Sequence, residues 1–142
     1  MQVCESGPRA LRYELMKIPI LLIDDNLDSC QTAAKLLRLA GDYESDIAQD
    51  VFTALELIEK KEYALAIIDY QMPEMNGVEL FQRMKQIRPD LKAIFVTGYA
   101  TIDVVFPALE AGVLRVLAKP VDFEVLIPVI DDLAWSSTNA EP

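Results

Sequence analysis

An apolar run that ends on a single carboxylate is the feature that most constrains how this chain can fold. Residues 64–77 read ALAIIDYQMPEMNG, so the run stops at Asp69 and a turn follows. An uninterrupted apolar run of this length predicts a strand that is buried on both faces of a sheet. Open α/β sheets bind their ligands at the carboxyl ends of their strands, where Asp69 would lie. The stretch therefore predicts a central strand and a functional carboxylate together.

Similar apolar runs alternate with helical patterns along the rest of the chain. The predicted strands cover residues 18–23, 43–49, 64–69, 91–96 and 114–118. The predicted helices begin near Asp28, Asp50, Val78, Thr101 and Asp122, and the acidic residues at 28, 50 and 122 are the expected N-caps. Five strands alternating with five helices predict a doubly wound α/β fold, with one parallel sheet and helices on both faces.

Two prolines fall inside predicted helices. Pro107 would cost about 3 kcal/mol in a helix interior, so the fourth helix is expected either to start late, near Phe106, or to be kinked. Pro128 lies inside the fifth predicted helix.

Length and composition predict one cytosolic domain. The chain has 142 residues, of which 52% are hydrophobic and 25% charged. We expect an N-terminal extension at residues 1–17, a folded domain at 18–134 and a polar C-terminal tail at 135–142. No apolar run is long enough to cross a bilayer, and the charged N-terminus does not resemble a secretory signal, so a cytoplasmic location is expected.

Charge and residue usage exclude several kinds of function. The formal net charge is -10, which argues against direct binding to nucleic acid or to anionic membranes. The chain has no histidine, which rules out serine–histidine or cysteine–histidine catalysis and histidine-ligated metals. Cys4 and Cys30 have no metal or redox spacing and are expected to be free thiols. The chemistry must therefore use carboxylates, hydroxyls and amines.

The ends of the predicted strands carry a set of groups suited to phosphoryl transfer. Because parallel strands end at one edge of the sheet, this edge would gather Asp24, Asp25, Asp69, Thr97 and Lys119. Three carboxylates in one crevice repel each other unless a cation joins them, and Mg2+ prefers such oxygen ligands. A hydroxyl and an ammonium would offset charge on phosphoryl oxygens while a carboxylate attacks. Each residue alone is more often a cap, a turn residue or a surface charge; their joint placement favours a site.

Four motifs at these strand ends resemble those of the receiver domain of two-component response regulators. They are Asp24-Asp25, the run DYQMPEMNG from Asp69, Thr97-Gly98 and Lys119-Pro120, and the resemblance covers residues 18–133. It implies a flavodoxin-like strand order 2-1-3-4-5 and a cis peptide bond before Pro120. It also implies phosphorylation of Asp69 by a histidine kinase or a histidine phosphotransfer protein, and a downstream effector protein as the second partner.

The resemblance implies a metal site as well. Mg2+ would be held by Asp24 or its water, by Asp25 and Asp69, and by the main-chain oxygen of Gln71. Thr97 and Lys119 would contact the phosphoryl group. Gln71 and Tyr99 occupy positions that tune the phosphoryl lifetime in such domains.

The sequence departs from the family at the position that reports the phosphate. Where the family has an aromatic residue three positions before the lysine, this chain has Val116, so the switch is weakened or uses another residue such as Tyr99. Pro107 and Pro128 fall in helices that usually meet partners. They either alter the output surface or only bend surface helices.

Several interpretations stay open from the sequence. The chain is expected to be a stand-alone receiver that signals through protein contacts, or else a fragment of a longer regulator. An aspartyl phosphohydrolase would want an acid two residues beyond its nucleophile, but Gln71 follows Asp69 and Asn26 follows Asp24. A degenerate receiver that binds partners without phosphorylation is the third alternative. The oligomeric state is undetermined.

Overall fold

The computed structural model describes residues 17–98 and 101–139, and in this part of the chain five strands alternate with five helices. The strands are β1 Ile18–Ile23, β2 Tyr43–Ala48, β3 Leu65–Asp69, β4 Ala93–Thr97 and β5 Arg115–Ala118. The helices are α1 Leu27–Ala40, α2 Val51–Lys60, α3 Gly77–Ile87, α4 Ile102–Ala111 and α5 Phe123–Asn139. Every predicted element is present.

The strands form one parallel sheet in the order β2-β1-β3-β4-β5. This confirms the doubly wound fold and the strand order. The central strands β3 and β4 are buried along their whole length, whereas β5 at the sheet edge is partly exposed. Because all five strands run in one direction, their carboxyl ends lie along a single edge of the sheet.

Each face of the sheet carries its own hydrophobic core. Leu21 and Ile23 of β1 point to the core under α2, α3 and α4, which also contains Phe95. The alternate residues Ile20 and Leu22 point to the core under α1 and α5. A strand with both faces covered must be apolar at every position, which explains the continuous apolar runs of the sequence. Fully burying each large side chain contributes roughly 1.5–3 kcal/mol.

The helix N-caps confirm one sequence prediction and correct another. Asp50 caps α2 as predicted, because its side chain accepts a hydrogen bond of 2.7 Å from the Thr53 N–H. The cap of α1 is Asn26 and not Asp28: the Asn26 side chain accepts from the Ser29 N–H at 3.1 Å. Asp28 lies in the first turn, where its charge interacts favourably with the helix dipole.

Of the two alternatives for α4, the late start is wrong, because the helix begins at Ile102 with Pro107 inside it. The Thr101 carbonyl accepts hydrogen bonds from the Val104 and Val105 N–H groups and so holds the first turn. Val104 and Ala108 are buried, and this burial outweighs the hydrogen bond that the proline cannot make.

The last helix, α5, also contains its predicted proline, Pro128, and continues to Asn139, into the segment expected to be a polar tail. No helix in the described ranges is long and apolar enough to cross a membrane. The predicted N-terminal extension, apart from Lys17, and Tyr99 lie outside the described residues.

Candidate functional site

The carboxyl ends of four strands place the predicted site residues side by side. Asp69 and Thr97 are the last residues of β3 and β4, while Asp24 and Lys119 directly follow β1 and β5. Backbone hydrogen bonds continue the ladders past the strand ends, from the Asp24 N–H to the Ala48 carbonyl (3.1 Å) and from the Lys119 N–H to the Thr97 carbonyl (2.8 Å). The hydrogen bonds of the sheet therefore fix how far along the strand direction these residues lie.

Asp24, Asp25 and Asp69 form a compact acidic cluster. Each offers one carboxylate oxygen, and these oxygens all lie within 4.8 Å of one another. Exposure increases across the group: Asp69 is buried, Asp24 is partly buried and Asp25 is exposed. Oxygen donors at this spacing fit a hard divalent cation such as Mg2+, which would relieve their mutual repulsion and keep waters on its open side.

Asp69 is the most constrained member of the cluster. Its Oδ1 accepts a hydrogen bond of 3.2 Å from the Gln71 N–H, and its Oδ2 lies 3.4 Å from the Lys119 ammonium. Burial raises the pKa of Asp69 above its ordinary value, and the charge of Asp24 raises it further, while Gln71 and Lys119 oppose both effects. The protein thus holds this buried carboxylate in one orientation, with one oxygen beside a cation.

The ammonium of Lys119 joins two of the carboxylates. Its Nζ lies 3.4 Å from Asp69 Oδ2 and 3.5 Å from Asp24 Oδ2. The peptide bond between Lys119 and Pro120 is cis, as the sequence resemblance implied. The Lys119 ammonium therefore lies between the carboxylates of Asp24 and Asp69 and partly offsets their repulsion.

The remaining predicted residues border this crevice. Thr97 is fully buried at the end of β4. Gln71 pairs with Asn76 in an isolated bridge, and the Gly77 N–H donates to the Tyr70 carbonyl at 2.9 Å. These contacts close the loop after β3, so the main chain at Gln71 is held next to Asp69.

Cys30 is a free thiol, as predicted, but two contacts near the site were not predicted from the sequence. Phe95 is the register partner of Val116, and its ring centroid lies 5.7 Å from that of Tyr70. Cys30 is a free, buried thiol whose Sγ donates to the Asp24 carbonyl at 3.6 Å. Burial, reinforced by the charges of Asp24 and Asp69, raises the pKa of Cys30 to about 11. Neither contact has a local sequence signal, since each depends on strand register or helix packing.

Comparison with known proteins points to one family. The sequence model of the response regulator receiver domain family matches residues 20–131. Among curated relatives, the transcriptional regulatory protein ZraR of Klebsiella oxytoca is 34% identical over 127 residues, which are 89% of this chain and 28% of that protein. The chain spans only about a quarter of the length of the ZraR proteins it matches.

Solved structures give the same picture. A CheY-like receiver domain protein from Methanospirillum hungatei superposes with a TM-score of 0.82 at 31% identity, covering 87% of this chain and 98% of that one. The response regulator TrrA from Thermotoga maritima, crystallised in complex with Mg2+ and BeF, has a TM-score of 0.72 at 26% identity and covers 82% and 98% of the two chains.

Proposed function

The chain belongs to the response regulator receiver domain family of two-component signalling, and we propose that it accepts a phosphoryl group on Asp69. The observation that carries the proposal is the environment of this carboxylate. Asp69 is buried, one oxygen is fixed by the Gln71 N–H, and the other lies 3.4 Å from the Lys119 ammonium. A fixed nucleophile beside a cation is the arrangement that phosphoryl transfer requires.

In the proposed reaction, Asp69 Oδ2 attacks the phosphorus of the donor in line with the leaving group. A carboxylate–phosphate bond forms as the bond from phosphorus to the donor breaks, and the leaving group takes up a proton. Lys119 offsets charge on one phosphoryl oxygen, and the Thr97 hydroxyl donates a hydrogen bond to another. Fixed charges of this kind cost no reorganisation during the reaction.

The acidic cluster has the donor chemistry for the metal that this reaction uses. Asp24, Asp25, Asp69 and the main-chain oxygen of Gln71 would hold Mg2+, which supplies positive charge next to the phosphoryl oxygens. The similarity to TrrA, which was crystallised with Mg2+ and BeF, supports this assignment.

The proposed partners follow from the chemistry. Since the chain has no histidine, a phosphohistidine donor must be a second protein, namely a histidine kinase or a histidine phosphotransfer protein. The phosphoryl group would then shift an equilibrium between surface states that an effector protein distinguishes. We also propose that residues 18–134 form the receiver unit. A cytoplasmic location is part of the same proposal.

Receiver domains are generally signalling domains and not enzymes, and the site favours that role here. The two positions where a phosphohydrolase would want a general acid carry Asn26 and Gln71. The Asn26 side chain is already engaged in capping α1. We therefore propose phosphoryl acceptance and self-hydrolysis without turnover of external substrates.

Incubation with acetyl phosphate and Mg2+, followed by intact-mass spectrometry, tests the proposal. We expect one added phosphoryl group on the wild type, none on Asp69→Asn, and normal labelling of a control variant, Asp90→Asn, which changes an exposed carboxylate outside the site. Labelling that survives Asp69→Asn, or a wild type that stays unlabelled, would contradict it.

A further inference from the structure

A cleft of about 600 Å³ lies between α1 and α5 and opens at one end onto the acidic cluster. Its volume is in the range of sites that bind small molecules. The floor is apolar and comes from the sheet, with Leu22, Ile67 and Val96 as its main side chains. Phe123 and Leu126 of α5 form one wall.

The opposite wall of the cleft is formed by α1, whose side chains there are mostly short and leave the space between the helices open. Ser29, Cys30, Thr32 and Ala33 line the cleft from this helix, together with Asp28 in its first turn. Apart from Asp28, these side chains are short and leave space in front of the α5 side chains, so a groove persists between two helices that cover the same face of the sheet.

The mouth of the cleft has a strongly biased charge. Three carboxylates line it, from Asp24, Asp28 and Asp69, and Lys119 is the only basic lining residue in the described part of the chain. Asp28 is exposed and belongs to neither the metal cluster nor the phosphoryl contacts. Without Mg2+, three carboxylates outweigh the one ammonium, so the mouth attracts a positively charged group, while the floor takes an apolar one.

We propose that the α1–α5 cleft is a binding site for a small amphipathic cation, a molecule with one ammonium group at the acidic mouth and an apolar body over the sheet. Occupancy would place the ammonium where Mg2+ is expected to bind, so the ligand and Mg2+ would compete for Asp24 and Asp69. This second, regulatory step rests on the proposed function; the binding itself does not.

Three probes with the same body and different head groups test the binding. They are 3-phenylpropylamine, 3-phenylpropanol and 3-phenylpropanoate, titrated without Mg2+ into the full 15N-labelled chain. We expect amide shifts at Cys30, Ala33 and Leu126, with the amine binding about tenfold more tightly than the alcohol and the acid more weakly still. Shifts elsewhere only, or an acid that binds as tightly as the amine, would overturn the proposal.

Variants locate the site. Ala33→Phe fills the cleft and should weaken amine binding at least about tenfold. Ala40→Phe adds the same side chain at an exposed position of α1 outside the cleft and should change nothing. Should Ala33→Phe fail to fold, Asp28→Asn removes one exposed mouth charge: amine affinity should fall about threefold and alcohol affinity should stay the same. If the affinity for the amine is unchanged in a folded Ala33→Phe variant, or in Asp28→Asn, the proposed site is refuted.

Competition is measured last, with Mg2+ and acetyl phosphate in the presence of the amine. We expect saturating 3-phenylpropylamine to slow phosphorylation and 3-phenylpropanol to have a smaller effect. An unchanged rate would overturn the regulatory step. Absence of phosphorylation without any amine would instead refute the proposed function, and the shifts of the first titration would still decide whether the cleft binds cations.

Discussion

Val116 on β5 lies directly beside Phe95 on β4 in the parallel register of the sheet. Phe95 is fully buried and contacts two other rings: Tyr70 at a centroid distance of 5.7 Å, and Phe81 edge-on at 6.4 Å. Val116 is half-buried against the same core. The aromatic bulk on this face thus belongs to β4 and the loop after β3, and the β5 position offers only a small side chain.

Val116→Tyr should strengthen the response to phosphorylation. If the site works as proposed, a valine is too small to follow a movement of Thr97, whereas a tyrosine at a half-buried edge position can be accommodated at a cost below about 1 kcal/mol. We expect beryllofluoride with Mg2+ to shift the amides of β5 and α4 more in Val116→Tyr than in the wild type. Val116→Leu is the control for bulk without an aromatic ring, and an equal response in all three proteins would show that β5 plays no part.

Asp69→Asn should stabilise the protein at neutral pH. Burial raises the pKa of Asp69 in the folded state above the 3.8 that applies when the chain is unfolded. The folded state therefore binds this proton more tightly, and the contribution to stability is most favourable below pH 3.8 and is lost as the pH rises through the folded pKa. Asparagine carries no charge at neutral pH and so avoids this loss of stability. We therefore expect the free energy of unfolding at pH 7 to rise by about 1 kcal/mol.

Urea unfolding without Mg2+, repeated over a series of pH values, measures the effect. The advantage of Asp69→Asn should shrink towards pH 3.8, where the wild-type carboxylate becomes protonated in both states. A variant that is less stable than the wild type at pH 7 would mean that Lys119 and Gln71 more than compensate for burial.

The sequence was sufficient to predict that these residues lie close together, because of how parallel sheets are built. Asp24, Asp69, Thr97 and Lys119 each follow an apolar run, and once these runs form one parallel sheet their ends must share an edge. The chemistry of the groups could then be considered together although they are far apart in the chain. Their roles in phosphoryl transfer remain predictions.

What the sequence could not predict depends on geometry beyond the local pattern. Asn26 and Asp28 are both good cap residues, and the sequence pattern does not distinguish them; in the structure the helix starts at Leu27 and Asn26 accepts the Ser29 N–H. Pro107 left open whether α4 starts late or is kinked, and only the burial of Val104 and Ala108 explains why the helix starts before the proline. The groove between α1 and α5 comes from the mutual placement of two helices and has no signature in either one.

Lys119→Met should increase the affinity of the site for Mg2+. The Lys119 ammonium lies within 3.5 Å of both Asp24 and Asp69, so it competes with a metal for the same carboxylates. Since the side chain is partly exposed, the gain should be modest, about three- to tenfold at low salt, and smaller at high salt. Lys92→Met, at the opposite end of β4, is the matched control. Calorimetric titration measures both, and weaker Mg2+ binding by Lys119→Met would contradict the proposed overlap.

Gly77→Ala should destabilise the fold although alanine is the better helix former. A Cβ at this buried position would lie 3.1 Å from the Tyr70 Cα and 3.2 Å from the Phe95 Cζ. The main chain has little freedom to retreat, because the Gly77 N–H is bonded to the Tyr70 carbonyl. Overpacking of this kind costs about 1–3 kcal/mol, against a propensity gain of at most about 1 kcal/mol.

Gly98→Ala is the matched control for the glycine substitution, since a Cβ there meets no atom within 4 Å. We expect its stability in urea to stay within about 0.5 kcal/mol of the wild type, while Gly77→Ala loses about 1 kcal/mol or more. A Gly77→Ala variant as stable as the wild type would show that Tyr70 and Phe95 can move apart at little cost. The contact between Tyr70 and Phe95 would then be easily deformed. In that case the close packing of α3 on β4 would not explain why the loop after β3 stays next to Asp69.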